Sequence, residues 1–177
     1  AAKDGKLVFS RTFGVADVTD PEARPMSADA LLYFGSISKS ITSVAVMSLV
    51  QEGKLEMDTP VFQVLGGDGP VADERVKNIT LRMCLNHTAG LSDGGGMGTG
   101  YDDTRSIEST IRTLAQKKLD RDPGSQYEYT NTTFNIVCRI IEKVSGFTYE
   151  DYVRARIWQP LGRIGPVVSS MYQQPPG

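Results

Sequence analysis

Cysteine and histidine are scarce in this sequence, with only two cysteines and one histidine among 177 residues. Cys84 and Cys138 each lie inside an apolar helical pattern and no CxxC pair occurs, so two buried thiols are expected rather than a disulfide or a zinc site. The formal net charge of −2 gives no reason to expect nucleic acid or an anionic membrane as a partner. No apolar run approaches the roughly 18 residues that cross a bilayer. The composition therefore predicts a globular domain without a zinc site.

The N-terminal segment reads as strand rather than as a targeting sequence. AAKDGKLVFS lacks the apolar stretch of a signal peptide, and localisation is left open between periplasmic or secreted and cytoplasmic. Asp4-Gly5 is a two-residue hairpin signal, and strand-like alternation follows from Leu7 to Val15. Because few residues precede this turn, its first strand is expected upstream of residue 1. We predict a strand region over 1–18, a helical catalytic region over 19–165 and an irregular tail over 166–177.

Helical spacing dominates the chain after Pro21. The first helix is predicted to end at Gly53 and to bury one face, formed by Ile37, Ile41, Val44, Ala45 and Ser48/Leu49. Later helices are predicted at 58–65, 80–90, 104–119, 131–146 and 148–157. The glycine-rich segment 92–100 is predicted to be a loop, and it matches neither of the common phosphate-binding motifs.

The first turn of the first helix is unusually polar. It carries Ser36, Ser38, Lys39 and Ser40 ahead of an apolar run. Ser36 and Lys39 are three residues apart and therefore share a helix face. A serine hydroxyl needs a neighbour that takes its proton, and a lysine can serve. The N–H groups of the helix start suit a developing oxyanion. A solvated helix start is the alternative.

A second polar pair precedes the helix predicted at 131–146. Tyr129 and Asn131 form a Y-x-N arrangement, in which a tyrosine beside a lysine can relay protons and an asparagine can hold a substrate amide or the lysine. The alternative is a helix cap that follows a packing tyrosine. His87 is the single histidine, and no G-x-S-x-G sequence surrounds any serine to support a Ser-His-Asp triad.

Four ordered segments together resemble the serine β-lactamase and penicillin-binding-protein superfamily, in particular class C β-lactamases, family VIII esterases and the D-aminopeptidase/DD-peptidase group. They are YFGSISKSITSVAVMSLVQEGKLEMDTPV, LRMCLNHTAGL, PGSQYEYTN and VSGFTYEDYVRARIWQPLG. The resemblance implies that Ser36 is the acylated nucleophile, Lys39 its general base and Tyr129 a partner in the proton transfers. It implies that Asn131 positions substrate and that His87 is structural.

The resemblance also implies the fold and the reaction. We expect an α+β, β-lactamase-like fold, represented mainly by its helical portion plus an N-terminal strand region, with most of the sheet missing. The resemblance implies a K-[ST]-G motif on a downstream strand that supplies a second oxyanion N–H, but this motif does not occur, and the resemblance fades after QPLG. The remainder of a longer protein or a second chain is therefore expected to complete the sheet.

The expected activity is hydrolysis of a carboxylic ester, a β-lactam or a D-amino-acid peptide, in decreasing order of preference. No cofactor or metal is implied. Two alternatives remain: a non-catalytic binding or regulatory module on the same scaffold, and an acyltransferase that uses the same residues.

Overall fold

The computed structural model describes residues 1–19, 22, 24–30, 35–93 and 106–162. The chain forms two compact units, Ala1–Gly35 and Ser36–Gly177. The predicted tail over 166–177 and most of the predicted glycine-rich loop lie outside the described residues. The predicted boundaries at residues 18 and 165 remain predictions.

The first unit contains a small antiparallel hairpin. Strand β1 (Ala2–Lys3) pairs with β2 (Lys6–Leu7). Asp4 and Gly5, which connect them, have φ angles of 50° and 72°, the left-handed pair that this tight turn requires. Ala2–Lys3 provides a first strand within the chain, and the expectation that this strand begins upstream of residue 1 remains a prediction. The predicted strand over Leu7 to Val15 was also wrong: β2 ends at Leu7, and Val15 makes only an isolated bridge to Pro25.

The second unit is built from helices, and its longer elements were predicted from the sequence. The helices are α1 (Ile37–Gln51), α2 (Val61–Leu65), α3 (Leu81–Leu85), α4 (Ile107–Gln116), α5 (Thr132–Ser145) and α6 (Tyr149–Val153), with a 3₁₀ segment at Glu74–Asn78 and a π-helical turn at Arg154–Trp158. Helix α5 contacts α1, α2, α3, α4 and α6. Its residues Ile136, Ile140 and Ile141 are fully buried. The core therefore forms around α5.

Side-chain caps explain where several of these helices begin. The side chain of Thr80 accepts a hydrogen bond from the N–H of Met83 at the start of α3. Ser106 caps α4 and Thr148 caps α6 in the same way. Each hydroxyl satisfies a backbone donor that has no partner inside the helix.

Three predicted helices differ from the observed ones at their ends. The helix predicted to reach Gly90 ends at Leu85, and His87 just beyond it has a φ of 61°, which an α-helix cannot accommodate. The helix predicted over 104–119 ends at Gln116, because the backbone is extended at Lys117. The helix predicted to run to Ile157 is α-helical only to Val153 and widens into the π-helical turn. The 3₁₀ segment was not predicted.

The buried face of α1 differs from the predicted one. Its buried residues are Thr42, Ala45, Val46 and Leu49. Ile37 and Val44, which were predicted to be buried, are 62% and 55% exposed. Two hydroxyl residues of α1 face α6, and of these Ser48 was predicted on the buried face but Thr42 was not: Thr42 pairs with the hydroxyl of Tyr149, and Ser48 with that of Tyr152, each at 2.7 Å. Thr and Ser can lie on the packed face of a helix when tyrosine hydroxyls satisfy their hydrogen bonds. A search for apolar spacing alone does not identify such a face.

Gly90 lies where the turn after α3 packs closely against the backbone at Arg121. Its φ is 76°, and a Cβ atom there would clash with the backbone carbonyl of Arg121. Gly90→Ala is therefore expected to add an overpacking penalty of about 1–3 kcal/mol to the left-handed strain of about 1–2 kcal/mol. Gly146 is the matched control, since its φ is 75° and no atom lies within 4 Å of the position of its Cβ. Urea unfolding of both variants checks this, and equal losses of unfolding free energy would contradict it.

Candidate active site

Ser36 lies where α1 begins, in an exposed position that precedes its first helical residue. One turn along the helix, the half-buried Lys39 points its side chain back, and its Nζ donates to Ser36 Oγ at 3.1 Å. The spacing of three residues brings the two side chains together on one face, as the sequence predicted.

Tyr129 approaches the same hydroxyl from the other side. Its OH lies 2.5 Å from Ser36 Oγ, and Lys39 Nζ lies 4.7 Å from the centre of its ring. The side chains of Lys39 and Ser36 together hold the pKa of Tyr129 below its ordinary value. A larger fraction of the phenol is therefore deprotonated at neutral pH than in a free tyrosine. The tyrosine can accept a proton from Ser36 directly.

Asn131 and Phe134 complete the surroundings of Lys39. Asn131 Oδ1 accepts a hydrogen bond of 2.6 Å from Lys39 Nζ, and the ring centre of Phe134 lies 5.5 Å from the same atom. The structure thus brings together all four predicted site residues, two from the start of α1 and two from the segment that leads into α5. Their chemical roles remain predictions.

His87 packs beside Tyr129 in the turn after α3. The centres of the two rings are 4.6 Å apart, and His87 Nδ1 accepts a hydrogen bond from the N–H of Thr130 at 3.3 Å. Partial burial, together with the nearby Lys39, lowers the pKa of His87. A neutral ring with its proton on Nε2 fits these contacts. The ring contact and the hydrogen bond from Thr130 help to orient the segment that carries Tyr129.

Backbone hydrogen bonds connect the His87 turn to the segment that carries Tyr129. The N–H of Glu128 donates to the carbonyl of His87 at 2.8 Å, and that of Gly124 to the carbonyl of Thr88 at 2.7 Å. The close approach at Gly90 belongs to the same pairing. The turn after α3 therefore determines where Tyr129 is placed.

Asp93 is the site residue that the sequence did not reveal. Its Oδ1 accepts from the backbone N–H of Asn131 at 2.8 Å and from that of Thr132 at 3.0 Å, and it also accepts from the hydroxyl of Thr130. Burial acts to raise the pKa of Asp93, but the hydrogen bonds from Thr130, Thr132 and Asn131 hold that pKa below its ordinary value. The residues around Asp93 in the sequence form no pattern that predicts its hydrogen bonds to the start of α5, because that helix lies in a distant part of the chain.

In the part of the chain that the structure describes, no group of three or more His, Cys, Asp and Glu side chains is arranged to hold a metal ion. Cys84 and Cys138 are free and buried, and burial raises the pKa of each thiol to about 12. Among the same residues, no helix is both long and apolar enough to span a membrane.

Comparison with known proteins identifies the family to which this arrangement belongs. The family model described as Beta-lactamase matches residues 1–176. The chain belongs to the Beta-lactamase family. It therefore has a β-lactamase-like fold, as the resemblance implied, and the family includes serine hydrolases.

Relatives within the Beta-lactamase family carry different functional names. The chain is 30% identical over 92% of its length to penicillin-binding protein 4* of Bacillus subtilis, and 32% identical over 91% to esterase EstB of Burkholderia gladioli. Among solved structures, EstCE1, described as a hydrolase with promiscuous acyltransferase activity, matches 91% of the chain at 25% identity with a TM-score of 0.75. The chain spans 35%, 44% and 45% of the lengths of these three proteins.

Proposed function

We propose that this chain is the acylating half-site of a serine hydrolase, with Ser36 as nucleophile. The observation that carries the proposal is the contact of one hydroxyl with two proton-handling groups: Ser36 Oγ lies 2.5 Å from Tyr129 OH and 3.1 Å from Lys39 Nζ. A serine becomes an effective nucleophile when a neighbouring group can take its proton in the attack.

We propose a route in which Tyr129, rather than Lys39 as the resemblance implies, takes that proton. The oxygen of Tyr129 is closer to Ser36 Oγ than Lys39 Nζ is, and the pKa of Tyr129 is lowered. Before the attack, the positive charge of Lys39 stabilises the phenolate form of Tyr129. As Ser36 Oγ bonds to the substrate carbonyl carbon, the hydroxyl proton passes to this phenolate, which becomes a neutral phenol. The bond to the leaving group then breaks, and the departing oxygen takes the proton from Tyr129. Water repeats the sequence on the acyl-enzyme, which releases the acid and restores the Ser36 hydroxyl.

For the substrate we propose a carboxylic ester first, then a β-lactam, then a D-amino-acid peptide. An alcohol leaves more readily than an amine, so an ester makes the smallest demand on general acid catalysis. The similarity to EstB and EstCE1 supports the ester, and the similarity to penicillin-binding protein 4* supports the β-lactam. A chromogenic short-chain ester and a chromogenic cephalosporin, assayed side by side, rank them.

Acyl transfer is the second candidate function. The description of EstCE1 includes promiscuous acyltransferase activity, and Ser36 is exposed at the start of α1. An acceptor alcohol or amine would replace water in the second step and use the same residues. Product analysis with an added alcohol distinguishes transfer from hydrolysis. A non-catalytic binding module on the same scaffold would yield neither product.

We also propose that other residues complete the site, from the remainder of a longer protein or from a second chain. The relatives are more than twice as long as the matched region, and the described residues contain one sheet, of two strands. The second oxyanion N–H that the resemblance implies would come from the added strand. Loss of one oxyanion donor costs about 10²–10³ in rate, so acylation is a more suitable test of this chain than turnover.

Covalent labelling is the experiment that tests the proposed function. A fluorophosphonate should add one equivalent to the chain, because attack by Ser36 Oγ on phosphorus expels fluoride and leaves a stable ester. Peptide mass mapping should place the adduct on Ser36. Ser38 and Ser40 serve as internal controls on the same peptide, and an adduct on either of them would refute the assignment.

A further inference from the structure

The helix that carries Asn131 has an unusual arrangement at its start. Asn131 occupies the N-cap position of α5, yet its side chain makes no capping hydrogen bond. An asparagine at this position ordinarily accepts from the N–H groups of the first turn. Here Oδ1 of Asn131 is directed to Lys39 instead. Another group must therefore satisfy the free donors of this helix.

Asp93 performs that capping from a distant part of the sequence. Its Oδ1 accepts from the backbone N–H groups of Asn131 and Thr132, and also from the Thr132 hydroxyl at 3.1 Å. The hydroxyl of Thr130, a buried residue, donates to the same oxygen. A carboxylate is favourable here because the helix start carries a partial positive charge. Three successive residues are thus bound to one carboxylate.

The second carboxylate oxygen acts on the side chain of Asn131. Asn131 Nδ2 donates to Asp93 Oδ2 at 3.3 Å, while Oδ1 of the same amide accepts from Lys39. A rotation of the amide by 180° would direct NH₂ at a lysine, which has no acceptor, and a carbonyl oxygen at a carboxylate. Both contacts would be lost together. Asp93 therefore determines which end of the amide faces Lys39.

We infer that Asp93 is a positioning residue, which holds Tyr129 and Asn131 in the geometry that the proposed acylation needs. The inference rests on the proposed function, because it assigns the purpose of this geometry to the chemistry of Ser36. Asp93 binds the hydroxyl of Thr130, the residue that follows Tyr129, and it binds Asn131 through both its backbone N–H and its side chain. A misplacement of about 1 Å at such a site can cost 10²-fold in rate.

Charge provides an independent signature of this role. The described titratable groups around Tyr129 are Lys39 on α1 and Asp93 before α4, which act on its pKa, and His87 after α3, which packs against its ring. Among them, Lys39 lowers the pKa of Tyr129 and Asp93 raises it. Removal of the Asp93 charge should therefore shift the titration of Tyr129 to lower pH. A residue that only stabilised the helix would change the melting temperature without this shift.

Asp93→Asn is the direct test, made in the full 177-residue chain. Asp120→Asn is the matched control: Asp120 is an exposed carboxylate that accepts from Ser92, the neighbour of Asp93. Fluorophosphonate labelling of Ser36 is followed against pH. In parallel, the Tyr129 titration is followed by NMR of chain labelled at tyrosine Cζ, with its signal assigned by Tyr129→Phe. We expect folded Asp93→Asn to label about 10- to 100-fold more slowly, with the Tyr129 midpoint at lower pH, and Asp120→Asn to match the wild type.

The outcomes separate this inference from the proposed function. Wild-type labelling away from Ser36 would refute the proposed function, while the Tyr129 titration still tests Asp93. Wild-type labelling at Ser36, with Asp93→Asn unchanged in rate or in midpoint, would overturn the inference alone. If Asp93→Asn does not fold, Thr130→Val decides. That variant should label about 3- to 10-fold more slowly, because it loses the hydrogen bond of the Thr130 hydroxyl to Asp93 and the one that this hydroxyl accepts from the N–H of Thr132. Its midpoint should be unchanged, and a wild-type rate would overturn the inference.

Discussion

Tyr129→Phe is expected to slow acylation of Ser36 by about 10²–10⁴-fold, the usual contribution of a positioned general base. The change removes only the phenol oxygen, which lies 2.5 Å from Ser36 Oγ. The ring remains to pack against His87, so the melting temperature should be almost unchanged. Stopped-flow or quenched labelling with a fluorophosphonate measures the rate.

Tyr127→Phe is the matched control for this substitution. Tyr127 lies two residues away, is 68% exposed, and meets the ring of His87 edge-on. The Tyr127→Phe variant loses the same phenol oxygen, but that oxygen does not contact Ser36, so its labelling rate should equal that of the wild type.

The wild-type rate should rise with pH and level off below the ordinary tyrosine pKa of about 10, because the pKa of Tyr129 is lowered. A Tyr129→Phe rate within a factor of three of the wild type would exclude Tyr129 as the base.

Lys39→Met should cause a loss of similar size, about 10²–10⁴-fold in the acylation rate. Methionine keeps most of the length of the side chain and its contact with Phe134, but it cannot donate to Ser36 or to Asn131. Without the positive charge, the pKa of Tyr129 should rise, because Lys39 is the main cause of its lowering. The pH midpoint of labelling should therefore move up, opposite to the shift expected for Asp93→Asn.

Lys54→Met provides the comparison for Lys39→Met. Lys54 follows the end of α1 and pairs with Glu52 at the surface. Its substitution therefore removes the same positive charge at a place that has no contact with Ser36. Its rate and midpoint should not change. The double substitution of Lys39 and Tyr129 should cost little more than either alone, as groups that act as a unit do. Fully additive losses would show that the two side chains act in separate steps.

Local sequence order predicted the parts of the site that depend on neighbours along the chain. Ser36 and Lys39 are brought together by one helical turn, and Asn131 marks the start of α5; both follow from spacing and capping rules. The convergence of these pairs was anticipated only through the resemblance to a family, since no spacing rule joins residues that are more than 90 positions apart. The β1–β2 turn was predictable for the same local reason.

Tertiary contacts decided what the sequence did not show. Asp93 became visible only when the chain placed it against the start of α5, and its own neighbours in the sequence give no sign of that role. The face of α1 was predicted wrongly in part, because Thr42 is buried with its hydroxyl paired to that of Tyr149 in α6. In both cases a polar side chain inside the fold has its hydrogen-bond partner in a remote segment.

The fixation of Lys39 has a consequence for the entropy of the site. A free lysine side chain has about 2 kcal/mol of rotamer entropy. Between Ser36, Asn131 and two aromatic rings, Lys39 has given up much of that freedom before any substrate arrives. The loss of Lys39 rotamer entropy therefore occurs on folding, and it does not contribute to the activation free energy of acylation. The activation entropy of labelling should accordingly be less unfavourable than for a lysine that must first be recruited from solvent.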